Sequence, residues 1–126
     1  MRKAYIVEDD KDSADLVVEL LSDELDINIF SNAGDLLAFL QMSDTVTPHI
    51  FILDISLPGM DGVTLLRRIR DDGRFQNTPV LALTAHAMKG DKESFISSGF
   101  DGYISKPIVD EQALLDEIER VIAEKH

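Results

Sequence analysis

The chain has 126 residues, 44% of them hydrophobic, with no cysteine and with 24 acidic against 12 basic side chains, giving a formal net charge of −12. That length predicts one domain, residues 1–126, with one continuous core and neither disulfide nor thiolate chemistry. The acidic excess argues against direct nucleic-acid binding, which needs clustered Lys and Arg, and the lack of a long apolar run or signal-peptide pattern predicts a cytoplasmic protein with no membrane association.

The first apolar run, AYIV (4–7), reads as a strand and closes on Glu8, Asp9 and Asp10. Leu16, Val17, Leu20 and Leu21 then recur at helical spacing, and Asp10 stands where that helix begins, as an N-cap or a group behind the carboxylates that precede it. A second strand, INIF (27–30), leads to a helix marked by Leu36, Leu37 and Leu40. The third strand, IFILD (50–54), is apolar at every position before Asp54, the pattern of a strand covered on both faces. After it, Pro58 and Gly59 suit the centre of a type II turn with Gly59 at positive φ. Asp61 is placed to cap a third helix carrying Leu65, Leu66 and Ile69. The strand PVLALT (79–84) follows. A fourth helix, from Met88 to Ser98, has only Met88, Phe95 and Ile96 as an apolar face and contains Gly90, so it should be held less firmly than the others. The strand GYIS (102–105) runs into Lys106 and Pro107, and a last helix carries Leu114, Leu115, Ile118, Val121 and Ile122.

Strict alternation of strand and helix implies right-handed crossovers and a parallel sheet. The fold class is therefore α/β: a doubly wound, flavodoxin-like, five-stranded parallel sheet in the order 2-1-3-4-5 with five helices on both faces. In such sheets chemistry collects at the carboxyl ends of the strands. Glu8, Asp9 and Asp10, then Asp54, Thr84, Ser105 and Lys106 all fall there. Carboxylates about 4 Å apart repel by roughly 4 kcal/mol per pair at an effective dielectric of 20. A hard divalent cation would relieve this, and oxygen-only ligands suit Mg²⁺. Lys106, one charge against three, cannot replace that ion, and with the Thr84 hydroxyl it suits a phosphoryl oxygen instead. An aspartate beside a metal and such donors can attack phosphorus. The rigid turn would hold the Asp54 carboxylate and aim a main-chain carbonyl near Ser56 at the metal.

The motifs IVEDD, LDISLPGMDG, ALTAHAM and YISKP, in that order and each at a strand end, resemble the receiver domain of bacterial two-component response regulators from about Arg2 to Ala123. Thr84 stands 30 and Lys106 stands 52 residues after Asp54, similar to the spacing in that family. The resemblance implies that Asp54 is the phosphoacceptor and that Glu8, Asp9, Asp54 and the main-chain carbonyl of Ser56 hold Mg²⁺. It further implies that Thr84 and Lys106 bind the phosphoryl group, that Tyr103 is the switch aromatic, and that a cis peptide precedes Pro107. TAHAMKGD is similar to single-domain regulators and to receivers of hybrid kinases. The implied function is a phosphorylation-dependent switch, not a turnover enzyme, fed by a sensor histidine kinase or a histidine phosphotransfer protein in a phosphorelay. It would change its helix 4, strand 5, helix 5 surface for a downstream protein target, as a monomer or a phosphorylation-dependent dimer.

Two other classes use similar parts. A Mg²⁺-dependent phosphatase of haloacid-dehalogenase type needs a second aspartate two positions after the nucleophile, where this chain has Ser56. A flavodoxin-like carrier needs a phosphate-cradling loop after the first strand, and EDDKDS would repel phosphate. His49 and His126 read as surface residues, and His86, two positions after Thr84, as a residue near the site without a metal-binding partner.

Overall fold

The computed structural model describes residues 2–42, 44–55, 59–85, 91–106, 108 and 110–125. The elements are β1 (Arg2–Val7), α1 (Lys11–Leu21), β2 (Leu25–Phe30), α2 (Ala33–Leu40), β3 (Ile50–Asp54), α3 (Gly62–Asp71), a 3₁₀ turn (Gly73–Phe75), β4 (Val80–Thr84), α4 (Asp91–Ser98), β5 (Gly102–Ser105) and α5 (Glu111–Lys125). All pairings are parallel and the strand order is β2-β1-β3-β4-β5, as the alternation predicts. β1 and β2 each begin two residues earlier than their apolar cores, because Arg2 pairs with Leu25 and Lys3 with Asp26. There a Lys3–Asp26 ion pair at 2.8 Å extends the ladder through polar positions.

The two faces of the sheet are covered by different helices. Ala4, Ile6, Ile50, Ile52, Leu81 and Leu83 point toward Val17 and Leu21 of α1 and Leu114, Ile118, Val121 and Ile122 of α5. Tyr5, Val7, Phe51, Leu53, Val80 and Ala82 point the other way, against Leu36 and Leu40 of α2 and Leu65, Leu66 and Ile69 of α3. Every residue of β3 is buried, as its unbroken apolar run requires. Each buried aliphatic or aromatic side chain contributes about 1.5–3 kcal/mol, which holds β3 and the equally buried β4 firmly beneath the site.

Local signals set the helix starts. The Asp10 carboxylate accepts from Ser13 N at 3.3 Å and that of Asp61 accepts from Thr64 N at 2.8 Å, so both act as N-caps. Gly59 has φ +78°, the left-handed conformation that the turn before α3 demands. Asp61→Ala is expected to cost about 1 kcal/mol, read as a fall in urea midpoint at unchanged slope. A clamp with no sequence signature fixes the other end of β4. Arg70 donates to the carbonyls of Phe75 and Thr78 at 2.7 and 2.6 Å and to Asp101 Oδ2 at 3.2 Å, and the same oxygen accepts from Val80 N at 2.8 Å.

No described side chain of α4, residues 93–98, is fully buried. Phe95 is half-buried and Ile96 is 45% exposed, while Met88 and Gly90 lie outside the described residues. Among the described residues no helix is long and apolar enough to cross a membrane.

Candidate functional site

The chain leaves β1 to form β2 on one side and returns to form β3 on the other, so the strand order switches between β1 and β3. A crevice opens at the carboxyl ends there. Asp54 ends β3, and Glu8 and Asp9 follow β1 directly. Glu8 N donates to Phe30 O at 3.0 Å and Ile55 N to Leu83 O at 2.9 Å, so both carboxylate-bearing segments are still pinned to neighbouring strands where they leave the sheet. Glu8, Asp9 and Asp54 each offer a carboxylate oxygen within 4.8 Å of the others. Glu8 and Asp54 are buried, at 2% and 3% exposure, whereas Asp9 is exposed.

Lys106, just past β5, reaches across to this group. Its main-chain N donates to Thr84 O at 2.7 Å, and its ammonium stands 2.7 Å from Glu8 Oε2 and donates to Asp54 Oδ2 at 3.0 Å. Lys106 thus engages two of the three carboxylates. Glu8 Oε2 is buried with the Lys106 ammonium as its ion-pair partner, while Oε1 accepts from Asp10 N at 3.0 Å.

The electrostatics follow from that crowding. Burial above all, with the Asp54 charge behind it, pushes the Glu8 carboxyl up to about 7, against the opposing pull of Lys106 and the Asp10 amide. The Asp9 carboxyl is raised by partial burial and then by Asp54. For Lys106, burial acts to lower the pKa, but Glu8 and Asp54 together outweigh it and leave the ammonium held more firmly than an exposed lysine. An oxygen-only donor set and the raised pKa values of the clustered Glu8 and Asp9 carboxyls fit a hard divalent cation such as Mg²⁺.

Thr84 ends β4, buried, and pairs in register with Ser105. Tyr103 of β5 is half-buried, with its ring 5.9 Å from that of Phe95 in α4 and its main-chain N donating to Glu117 of α5 at 3.4 Å. It touches both helices flanking β5. The Asp10 carboxylate is engaged with Ser13 as a cap, and its pKa is lowered chiefly by that hydroxyl. His49 is exposed, its Nδ1 accepting from Lys3 N at 3.0 Å. Ser56, Pro58, His86, Pro107 and His126, each given a reading above, lie outside the described residues.

Residues 4–119 match the response regulator receiver domain. The chain belongs to that family. The receiver domain is 34% identical over 107 residues to the polar-differentiation response regulator DivK of Brucella ovis, covering 85% of each chain. Among solved structures it resembles the chemotaxis response regulator CheY4 of Vibrio cholerae, with a TM-score of 0.85, 24% identity, and coverage of 96% of this chain and 98% of that one. It also resembles the receiver domain of the sensor histidine kinase PA1611 of Pseudomonas aeruginosa, which holds a magnesium ion in its active-site cleft, with a TM-score of 0.81, 22% identity, and coverage of 97% and 98%. Receiver domains belong to two-component signalling, with histidine kinases or phosphotransfer proteins as partners, and bind Mg²⁺ at an acidic site.

The structure brings Glu8, Asp9, Asp54 and Lys106 together at the strand ends; Gly62, which approaches the main chain of Asp54, is a residue that the sequence does not single out. Its one sequence signal is position, a glycine directly after a capping aspartate, where helix propensity alone disfavours it.

Proposed function

We propose that this receiver domain is a phosphorylation-dependent switch in which Asp54 accepts a phosphoryl group from a phosphohistidine on a sensor kinase or phosphotransfer protein. The observation that carries this reading is the meeting of Glu8, Asp9 and Asp54 oxygens within 4.8 Å, with the Lys106 ammonium 3.0 Å from Asp54 Oδ2. An Asp54 carboxylate oxygen attacks phosphorus, the P–O bond forms as the P–N bond breaks, and the electron pair stays on the leaving imidazole, which takes up a proton. Glu8, Asp9, Asp54 and the Ser56 carbonyl would hold Mg²⁺, which when bound supplies neutralising charge for the crowded carboxylates and the incoming phosphoryl oxygens. Lys106 follows the charge from the carboxylate to a phosphoryl oxygen, and the Thr84 hydroxyl donates to another.

Phosphorylation replaces a carboxylate by a group of about −1.5 to −2 charge with three acceptor oxygens. As Thr84 turns inward to donate, Tyr103 gains room to move, and α4, which packs Phe95 against that ring, is the element most easily displaced. The surface of α4, β5 and α5 would then present a changed face to a downstream protein, as a monomer or a phosphorylation-dependent dimer, in the cytoplasm. The phosphoryl group biases this equilibrium only by its different interaction with the two states.

Acetyl phosphate with Mg²⁺ tests the chemistry. Intact-mass analysis is expected to show one phosphoryl group, labile to hydroxylamine as an acyl phosphate is. No adduct, or a hydroxylamine-stable one, overturns the reading. Tyr103→Ala is expected to leave labelling within about twofold while weakening phosphate-dependent partner binding about fivefold or more. Thr84→Ala loses one charge-assisted hydrogen bond and should slow labelling roughly tenfold while uncoupling it from partner binding.

A further inference from the structure

Gly62 opens α3 against the end of β3. A Cβ at this position would stand 2.7 Å from the Asp54 carbonyl oxygen, 3.0 Å from Ile55 Cα and 3.3 Å from the Asp54 carbonyl carbon. All three are main-chain atoms, so no side-chain rotation relieves the contact. The N–H of that peptide, on Ile55, donates to Leu83 O at 2.9 Å, and Gly62 N donates to the next carbonyl along the chain, Ile55 O, at 3.0 Å. Positive φ is confined to Gly59 and Gly99 among the described glycines, so what bars a side chain at Gly62 is the contact and not the backbone conformation. Gly34, in the first turn of α2, has only Asn32 Oδ1 at 3.4 Å to meet.

We propose that Gly62 is a positioning residue for the phosphoacceptor: its missing side chain lets the first turn of α3 seat on the Asp54–Ile55 peptide, and that seating sets where the Asp54 carboxylate stands relative to Glu8, Asp9 and Lys106. The inference rests on the reading of Asp54 as metal ligand and phosphoacceptor. A methyl group must push α3 outward or β3 inward by several tenths of an ångström to reach ordinary contact. A site of this kind tolerates only about 0.5 Å.

Three variants of the full chain, Gly62→Ala, Gly34→Ala and Asp61→Ala, are compared by Mg²⁺ titration read from backbone amide NMR shifts. Gly62→Ala is expected to move the Asp54 and Ile55 amides before any Mg²⁺ is added and to weaken Mg²⁺ binding about tenfold or more. Gly34→Ala should do neither. Asp61→Ala loosens α3 without touching Asp54, so it should lower the melting temperature yet keep Mg²⁺ affinity within about twofold. Equal loss of affinity in Asp61→Ala and Gly62→Ala, or unmoved Asp54 and Ile55 amides in Gly62→Ala, overturns the proposal. Should Gly62→Ala not fold, the wild-type chain decides: the Gly62 amide is expected to respond to Mg²⁺ together with Asp54, and a silent Gly62 overturns the proposal. Wild-type protein that neither binds Mg²⁺ nor takes up a phosphoryl group removes the functional reading, while displaced metal-free amides in Gly62→Ala still support the positioning of Asp54.

Discussion

Asp54→Asn is expected to reduce labelling by acetyl phosphate or a cognate kinase to background and, at the same time, to raise the melting temperature of the Mg²⁺-free protein by a few degrees. The first effect is chemical, because a neutral carboxamide has no ionised oxygen to attack phosphorus. The second follows from the charges around Asp54. It faces Glu8 and Asp9 across distances of up to 4.8 Å and the Lys106 ammonium at 3.0 Å. Asp9 and Glu8, whose carboxyl is pushed up to about 7, repel the Asp54 charge by up to roughly 4 kcal/mol each at 4 Å and an effective dielectric of 20, while Lys106 attracts it. Burial of Asp54 to 3% exposure adds the cost of keeping it ionised away from water, which Asn does not incur. About 4 °C accompanies each kcal/mol in a chain of this size. Retained labelling, or a lower melting temperature with an unchanged fold, contradicts the assignment of Asp54.

Removing divalent metal is expected to have a larger effect on stability, in the opposite direction. Mg²⁺ at about 100 times its dissociation constant should stabilise the wild-type chain by about 2.7 kcal/mol, a rise of roughly 10 °C. EDTA should reverse the rise and stop labelling. The cause is specific to the cluster: the Glu8, Asp9 and Asp54 carboxylates crowd within 4.8 Å, and among the described residues the Lys106 ammonium pairs with two of them. Asp54→Asn should therefore lose most of the Mg²⁺ response. A melting temperature indifferent to Mg²⁺, or a rise that persists in Asp54→Asn, removes Mg²⁺ from the site.

Much of this architecture is legible in the chain because local and global signals agree. The apolar run Ile50–Leu53 ending on Asp54 reads as a central strand with a carboxylate at its tip, and β3 is buried along its whole length. The caps Asp10 and Asp61 are visible because a carboxylate before an apolar helical stripe has a local reason to be there. The meeting of Glu8, Asp54 and Lys106 follows from strand order, since each stands at the carboxyl end of a neighbouring or near-neighbouring strand. What stays hidden depends on distance through space between residues far apart in sequence. The Arg70–Asp101 clamp joins positions 31 apart through a single shared oxygen and leaves no periodic trace. The packing of Tyr103 on Phe95 depends on where α4 sits above β5, which the weak apolar pattern of α4 does not set. The contact of Gly62 with the Asp54 main chain is shape alone, and a glycine after a cap looks the same whether or not something lies against it.

The switch itself is tested most directly by amide NMR of the Mg²⁺-loaded chain before and after addition of beryllofluoride, a mimic of the aspartyl phosphate. The expected result is a set of shifts that starts at Asp54 and Thr84 and continues through Tyr103 and Phe95 into α4 and the β5–α5 surface. Shifts confined to the Asp54 loop, with residues 91–105 silent, would contradict a signal carried by that face.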